Sequence, residues 1–189
     1  GWNAAAVSAL ENAKALIDYF KTNHSYDAVL SYGSSIDIVV DGNYSNASWS
    51  VNTATFGAGD GVTTKNFAGS LDIMAHEITH GVIASTSKLR DGDQPRALNE
   101  SFADFFGAMI DSDDWTLGED IYISSDYLRS MSNPSLKGQP YHWSGFNSAK
   151  GHHWNAGIPN RALYLLAEGL TAEGLGTSVG RTKAAGIVF

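Results

Sequence analysis

The polar and apolar positions of the chain fall into a few clear periods. Residues 3–22 follow a helical one: Val7, Leu10, Ala13, Ile17 and Phe20 make one stripe, with Glu11, Lys14, Asp18 and Lys21 elsewhere. Residues 35–40 (Ser-Ile-Asp-Ile-Val-Val) are β-branched and read as a strand. Asp41-Gly42-Asn43 is a turn, and residues 47–56 alternate loosely as a second strand, the hairpin partner of the first. The glycines of 57–61 lack the Lys and Ser/Thr of a phosphate loop and read as a turn. Ser70 stands where it can cap a helix reaching about Ser85, residues 86–96 form a polar loop, and 97–110 form a helix with Phe102, Phe105, Phe106 and Met109 in the core. Residues 111–150 are mostly loop. A last clear helix begins near Ala156, with Pro159 in its first turn, where a missing N–H costs little. Its apolar residues are Ile158, Ala162, Leu163, Leu165, Leu166 and Leu170, and the tail from Gly174 holds the seed of a further helix at 181–188. Strands early and helices late make an α+β chain.

Composition narrows the class. With 189 residues and 43% apolar content the chain can bury a real core. A net charge of −8 argues against nucleic acid or an anionic membrane as partner. The absence of cysteine excludes disulfides and thiolate-bound zinc. No apolar run approaches the roughly 18 residues of a membrane span. The chain starts Gly1-Trp2-Asn3 without an initiator Met, which points to a processed or trimmed form.

The chemistry centres on Ile73-Met74-Ala75-His76-Glu77-Ile78-Thr79-His80. On a helix, His76 and His80 lie one turn apart on the same face, so two neutral imidazoles can share one Zn²⁺. Glu77 projects beside the metal, where its carboxylate can take a proton from water. This is the H-E-x-x-H pattern of zinc peptidases. Apolar neighbours bury the helix, and unpaired histidines there would be costly without a metal. A catalytic zinc needs a third protein ligand. Glu100, opening a neighbouring antiparallel helix, is the best candidate. Asp104, one turn on, can hold the free N–H of His76.

Taken together, these motifs resemble the thermolysin family of metallopeptidases. Asn99-Glu100-Ser101-Phe102-Ala103-Asp104 matches the family's N-E-x-x-x-D. Asn46-Ala47-Ser48-Trp49 resembles the edge strand of the cleft, Leu128-Arg129-Ser130-Met131 the segment with the substrate-binding arginine, and His153-Trp154-Asn155-Ala156-Gly157-Ile158 the segment with the catalytic histidine. The resemblance runs in order over nearly the whole chain. It implies a two-lobed zincin, with residues 1–90 as a β-rich N-terminal lobe and 91–189 as a mainly helical, shortened C-terminal lobe. His76, His80 and Glu100 would hold one zinc. Glu77 would be the general base, and His153 would donate a hydrogen bond to the oxyanion. Asn46, Ala47 and Arg129 would bind substrate main chain, and Asn99 and Asp104 would orient the metal ligands. Ile73, Leu117, Ile121 and Leu128 align with an apolar pocket, which implies cleavage before large hydrophobic residues. Asp72, Asp111, Asp114, the Thr116 carbonyl and Glu119 would supply oxygen ligands to one calcium ion.

The resemblance further implies a secreted, monomeric endopeptidase acting on proteins or peptides, mature after loss of signal peptide and propeptide. Two positions depart from the family: Asp91 stands where many members have a tyrosine, with Arg90 adjacent, and Ser148 where an acidic partner of the catalytic histidine is usual. A protein that keeps zinc but is impaired in catalysis, serving as a peptide-binding module, is the alternative reading.

Overall fold

The computed structural model describes residues 1–32, 35–169 and 176–189. Leu170 and the first residues of the tail, including Gly174, lie outside the described residues. The first helix, α1, is Ala4–His24, capped by the Asn3 side chain, which accepts from the Ala6 N–H at 3.1 Å. Its buried face is Ala9, Ala13, Leu16 and Phe20, so Ala13 and Phe20 of the expected stripe are buried and the face is turned toward Ala9 and Leu16. Val7 and Leu10 are exposed. Both stripes have helical spacing. The small Ala9 and Ala13 let α1 sit tightly on the core, and small residues weigh little in an apolar pattern.

Strands β1 (Asp37–Gly42), β2 (Ala47–Ser50) and β3 (Thr53–Gly57) form a sheet in the order β1-β3-β2. The expected single strand over 47–56 is two strands, folded on each other as an antiparallel hairpin. The chain reverses at Val51, whose φ is 57°, a conformation β-branched residues rarely take. Nothing in the alternation of 47–56 signals that turn. As a result β1 pairs with β3, in parallel, and not with a partner of its own hairpin. β2 is left as an edge strand with one neighbour.

Helix α2 is Leu71–Ser85, as expected, and is buried on nearly all sides. Helix α3 is Asp93–Ile110 and starts earlier than expected. Pro95 falls in its first turn, where proline fits, so the polar loop ends at Gly92. Phe105, Phe106 and Met109 are buried, and Phe102 is half-buried. Gly107 is where α3 meets α2 most closely: a Cβ there would lie 3.1 Å from the Asp72 carbonyl oxygen and 3.0 Å from Leu117 Cδ1. That proximity aligns the two helices along the residues that matter for chemistry.

Beyond α3 the chain is irregular, apart from short 3₁₀ turns and the two-stranded antiparallel ribbon of β4 (Thr116–Leu117) and β5 (Arg129–Ser130). Helix α4 (His152–Asn155) runs into α5 (Gly157–Glu168), and α6 (Arg181–Val188) packs its Ala184 and Ala185 into the core. A core cluster of Phe20, Phe56, Phe105, Met74, Ile78 and their neighbours lies behind α2 and α3, so these helices present their other face to a cleft.

Candidate active site

The cleft has a volume of about 840 Å³ and is lined by β2, α2, the segment 89–96, α3 and α4. At its floor the imidazoles of His76 and His80 turn their Nε2 atoms to each other at 3.1 Å. Oε2 of Glu100 lies 3.4 Å from His76 Nε2, and Oε1 lies 3.8 Å from His80 Nε2. Donors around a tetrahedral ion with bonds of about 2.0–2.1 Å stand about 3.3–3.4 Å apart. The three side chains therefore fit a zinc ion. Oε2 of Glu100 supports the same fit, because it is buried and accepts no hydrogen bond.

Each metal-facing group is braced from behind. Nδ1 of His76 lies 2.8 Å from Asp104 Oδ1, and Nδ1 of His80 lies 2.5 Å from Asn99 Oδ1. Asp104, fully buried, also takes a two-pronged bond from Arg129, Nε at 2.8 Å and Nη2 at 2.7 Å. A third donor comes from Asn160 of α5, whose Nδ2 lies 2.8 Å from Asp104 Oδ2.

The electrostatics follow from this packing. Burial acts to lower the His76 pKa, but the Asp104 and Glu100 carboxylates prevail and push it up to about 10. Burial and the neighbouring His76 push His80 down to about 4. Burial would raise Glu100, yet His76, His80 and His153 pull it down to about 2. Burial likewise opposes ionisation of Asp104, and Arg129 and His76 hold it well below the usual carboxylate range. Glu77, beside His76 on the cleft wall, is raised by burial, which His76 only partly offsets. His153 is exposed on the cleft rim with Nε2 3.2 Å from Glu100 Oε2, and burial of its ring lowers its pKa.

Sequence comparison gives this arrangement a family. Residues 1–84 match the thermolysin metallopeptidase catalytic domain, and residues 87–189 match the thermolysin metallopeptidase alpha-helical domain. The chain belongs to the thermolysin metallopeptidase family. Bacillolysin of Brevibacillus brevis is 42% identical over 99% of this chain and 37% of that protein. The extracellular elastase of Staphylococcus epidermidis is 42% identical over 85% of this chain and 34% of its own length. A solved structure titled as the precursor of protealysin, a metalloproteinase of Serratia proteamaculans, has a TM-score of 0.77 at 30% identity, covering 87% of this chain and 59% of that one. The chain thus spans about a third of the length of the curated relatives it matches.

Against the thermolysin-type site expected from sequence, the structure gathers His76, Glu77, His80, Asn99, Glu100, Arg129 and His153 at one cleft, which Ala47 at the start of β2 and Asn46 just before it also line. Ile73 and Leu128 line the cleft, but Leu117 and Ile121 do not reach its surface. Both are completely buried, Leu117 against Gly107 on α3, so they back the wall rather than form it. His152, next to His153 on α4, lies with its Nε2 3.9 Å from Glu100 Oε1. Asp91 holds Arg96 at 2.6 Å. Ser148 is exposed in a 3₁₀ turn.

The acidic residues expected to hold calcium occupy one neighbourhood without forming a tight donor set. Asp72 is buried, takes hydrogen bonds from Ser70 and the Gly118 N–H, and is pushed up to about 6 by burial, with Glu119 and Asp111 adding repulsion. Asp114 accepts from the Thr116 N–H at 2.6 Å, and Thr116 Oγ1 lies 2.9 Å from Glu119 Oε2. Among the described residues, the His/Asp/Glu groups drawn close enough to share an ion are His76–His80–Glu100 and Glu100–His152–His153.

Two residues of the site escaped the sequence reading. Asn160 and Gln139, whose Nε2 donates to the His153 carbonyl at 2.7 Å, are buried polar side chains on segments remote from the metal motif. Neither carries a spacing signal.

Proposed function

We propose that the chain is a zinc-dependent endopeptidase that cuts peptide bonds before large hydrophobic residues. The observation that carries the reading is the donor triangle of His76, His80 and Glu100 on two braced helices, with Glu77 beside it in an open cleft. The Lewis acidity that polarises the scissile carbonyl and acidifies water would come from zinc held by those three side chains.

The other steps belong to the chain's own residues. Glu77 takes a proton from the attacking water and passes it to the leaving amine. A pKa raised by burial suits a group that must both accept and return a proton. His153 donates from Nε2 to the developing oxyanion. Arg129, fixed by Asp104, presents its guanidinium to a substrate carbonyl beyond the scissile bond. Edge strand β2 takes the substrate as an added strand, with Asn46 and Ala47 contacting its main chain. Ile73 and Leu128 receive the side chain after the scissile bond, backed by Leu117 and Ile121. Residues 1–90 and 91–189 act as the two lobes on either side of this cleft.

We also assign one calcium ion to the neighbourhood of Asp72, Asp111, Asp114, Thr116 and Glu119, where it would relieve the mutual repulsion of these carboxylates. One relative is named an extracellular elastase, which supports a secreted enzyme, and we assign it as a monomer. Among the described residues no helix is long and apolar enough to cross a membrane.

The test is hydrolysis of an internally quenched peptide carrying Leu or Phe after the scissile bond. Cleavage abolished by a zinc chelator and by Glu77→Ala supports the reading. A zinc-loaded chain that binds the peptide without cutting it instead supports a peptide-binding module impaired at Asp91 and Ser148.

A further inference from the structure

The two ends of the cleft differ in chemistry. Along α2, Ile73 comes about one turn before His76 and His80 about one turn after it. α3 runs past in the opposite sense: Asp104 meets His76, Asn99 meets His80, and Arg96 lies about one turn beyond Asn99. The apolar wall of Ile73 and Leu128 therefore stands on the His76 side. On the His80 side, the segment 89–96 brings Arg90, Asp91 and Arg96 to the same cleft.

At that end the charges do not cancel. Asp91 takes Arg96, and Asp104 takes Arg129. Glu77 and Glu100 face the metal donors, and Asp93 sits in the first turn of α3 without lining the cleft. Arg90 lines the cleft, is exposed, and makes no ion pair among the described residues. In a chain of net charge −8 this leaves a local positive rim.

We infer that Arg90, assisted by Arg96, makes this end of the cleft select an acidic side chain in one of the two residues before the scissile bond. The inference rests on the endopeptidase reading. With the residue after the bond seated against Ile73 and Leu128, the residues before it pass the metal donors toward His80 and the 89–96 segment. A guanidinium offers a carboxylate two parallel hydrogen bonds there. Because the rim is exposed, the preference is modest, about two- to five-fold, and falls with salt.

A matched set of quenched peptides carrying Glu, Gln or Lys at the first or second residue before an X–Leu bond tests it. At low salt the zinc-loaded chain is expected to cleave the Glu peptide with about two- to five-fold higher kcat/KM than the Gln peptide. The ratio should approach one at 1 M salt, where screening acts within about 3 Å. Arg90→Ala should bring the low-salt ratio to one, Arg90→Glu should turn it in favour of Lys, and Asp91→Asn, which releases Arg96, should raise it. Binding of the same peptides to the zinc-loaded Glu77→Ala protein repeats the comparison without turnover. Equal cleavage of Glu and Gln peptides, or a rate that Arg90→Ala lowers uniformly with the ratio unchanged, overturns the inference and leaves the peptidase reading in place. If nothing is cleaved but the Glu77→Ala protein binds Glu peptides more tightly through Arg90, the rim preference holds and the peptidase reading falls. Equal binding where nothing is cleaved overturns the inference as well.

Discussion

Two acidic clusters lie along α2, one at its N-terminal end around Asp72 and one beside its middle at His76 and His80, and they are built differently. At the His76–His80 site, Asp104 and Glu100 meet cations or imidazoles: Asp104 meets Arg129 and His76, and Glu100 meets His76, His80 and His153. Their pKa values fall despite burial. At the Asp72 end, carboxylates meet one another. Burial and repulsion from Glu119 and Asp111 push Asp72 up to about 6, and burial with Glu119, Asp120, Asp113 and Asp114 pushes Asp111 up to about 6. The first cluster is held together by opposite charges and hydrogen bonds. The second is a concentration of like charge that a cation would relax.

The sharpest way to break this contrast is at Glu77. Glu77→Gln keeps the shape and removes the base, so kcat on a quenched peptide is expected to fall about 10²–10⁴-fold. Zinc content, read by elemental mass spectrometry, should stay the same. An unchanged rate would mean that the helix-borne cluster is not where the reaction happens.

The next largest effect is expected at Asp104. Asp104→Asn leaves the Arg129 guanidinium buried without its counter-charge, which costs about 3–5 kcal/mol in urea denaturation. It also weakens the brace on His76, so zinc affinity against a competing chelator should drop about 10–100-fold. A variant as stable as the parent would show that the brace is dispensable.

The acidic end predicts a pH dependence of opposite kind. A folded-state pKa of about 6 for Asp72 is above the ordinary carboxylate value, so the folded state favours the protonated form. Its stabilising contribution is present below pH ~4 and is lost as pH rises through about 6, amounting to up to about 3 kcal/mol at two units of difference. In calcium-depleted buffer with zinc retained, the stability of Asp72→Asn minus that of the parent should therefore grow between pH 4 and 7. Added calcium should shrink that difference. A flat difference would mean that the carboxylates at this end do not repel one another as their placement implies.

How much of this was legible beforehand depends on whether a residue's role is set by local spacing. The His76–His80 pair, Glu77 and the Glu100–Asp104 pair are four-residue relations on helices, and helical geometry alone puts them on one face. The span of α2 was readable for the same reason. The N-terminus of α3 was not, because Pro95 punctuates a loop and a first helical turn equally well. The turn at Val51 was hidden in a β-branched run, and with it went the pairing of β1. The face of α1 was partly readable: Ala13 and Phe20 lie on it as expected, but Ala9 and Leu16 complete it in place of Val7 and Leu10. Leu117 and Ile121 look like pocket residues by resemblance, yet both are completely buried in the core, Leu117 against Gly107 of α3.

Asn160 makes that lesson testable at the smallest scale. It reaches Asp104 across a separation of 56 residues, and no periodicity in α5 distinguishes its amide from a core filler. It is completely buried, so removing it leaves a cavity as well as one missing donor at Asp104 Oδ2. Arg129 and His76 still hold Asp104 in that variant. Asn160→Ala is therefore expected to cost about 1–3 kcal/mol in urea denaturation, less than Asp104→Asn. Zinc affinity should fall by less as well, because the His76 contact survives. If Asn160→Ala weakens zinc binding as much as Asp104→Asn does, Asp104 owes its position to the α5 amide rather than to Arg129. The brace on the metal helix would then depend mainly on α5.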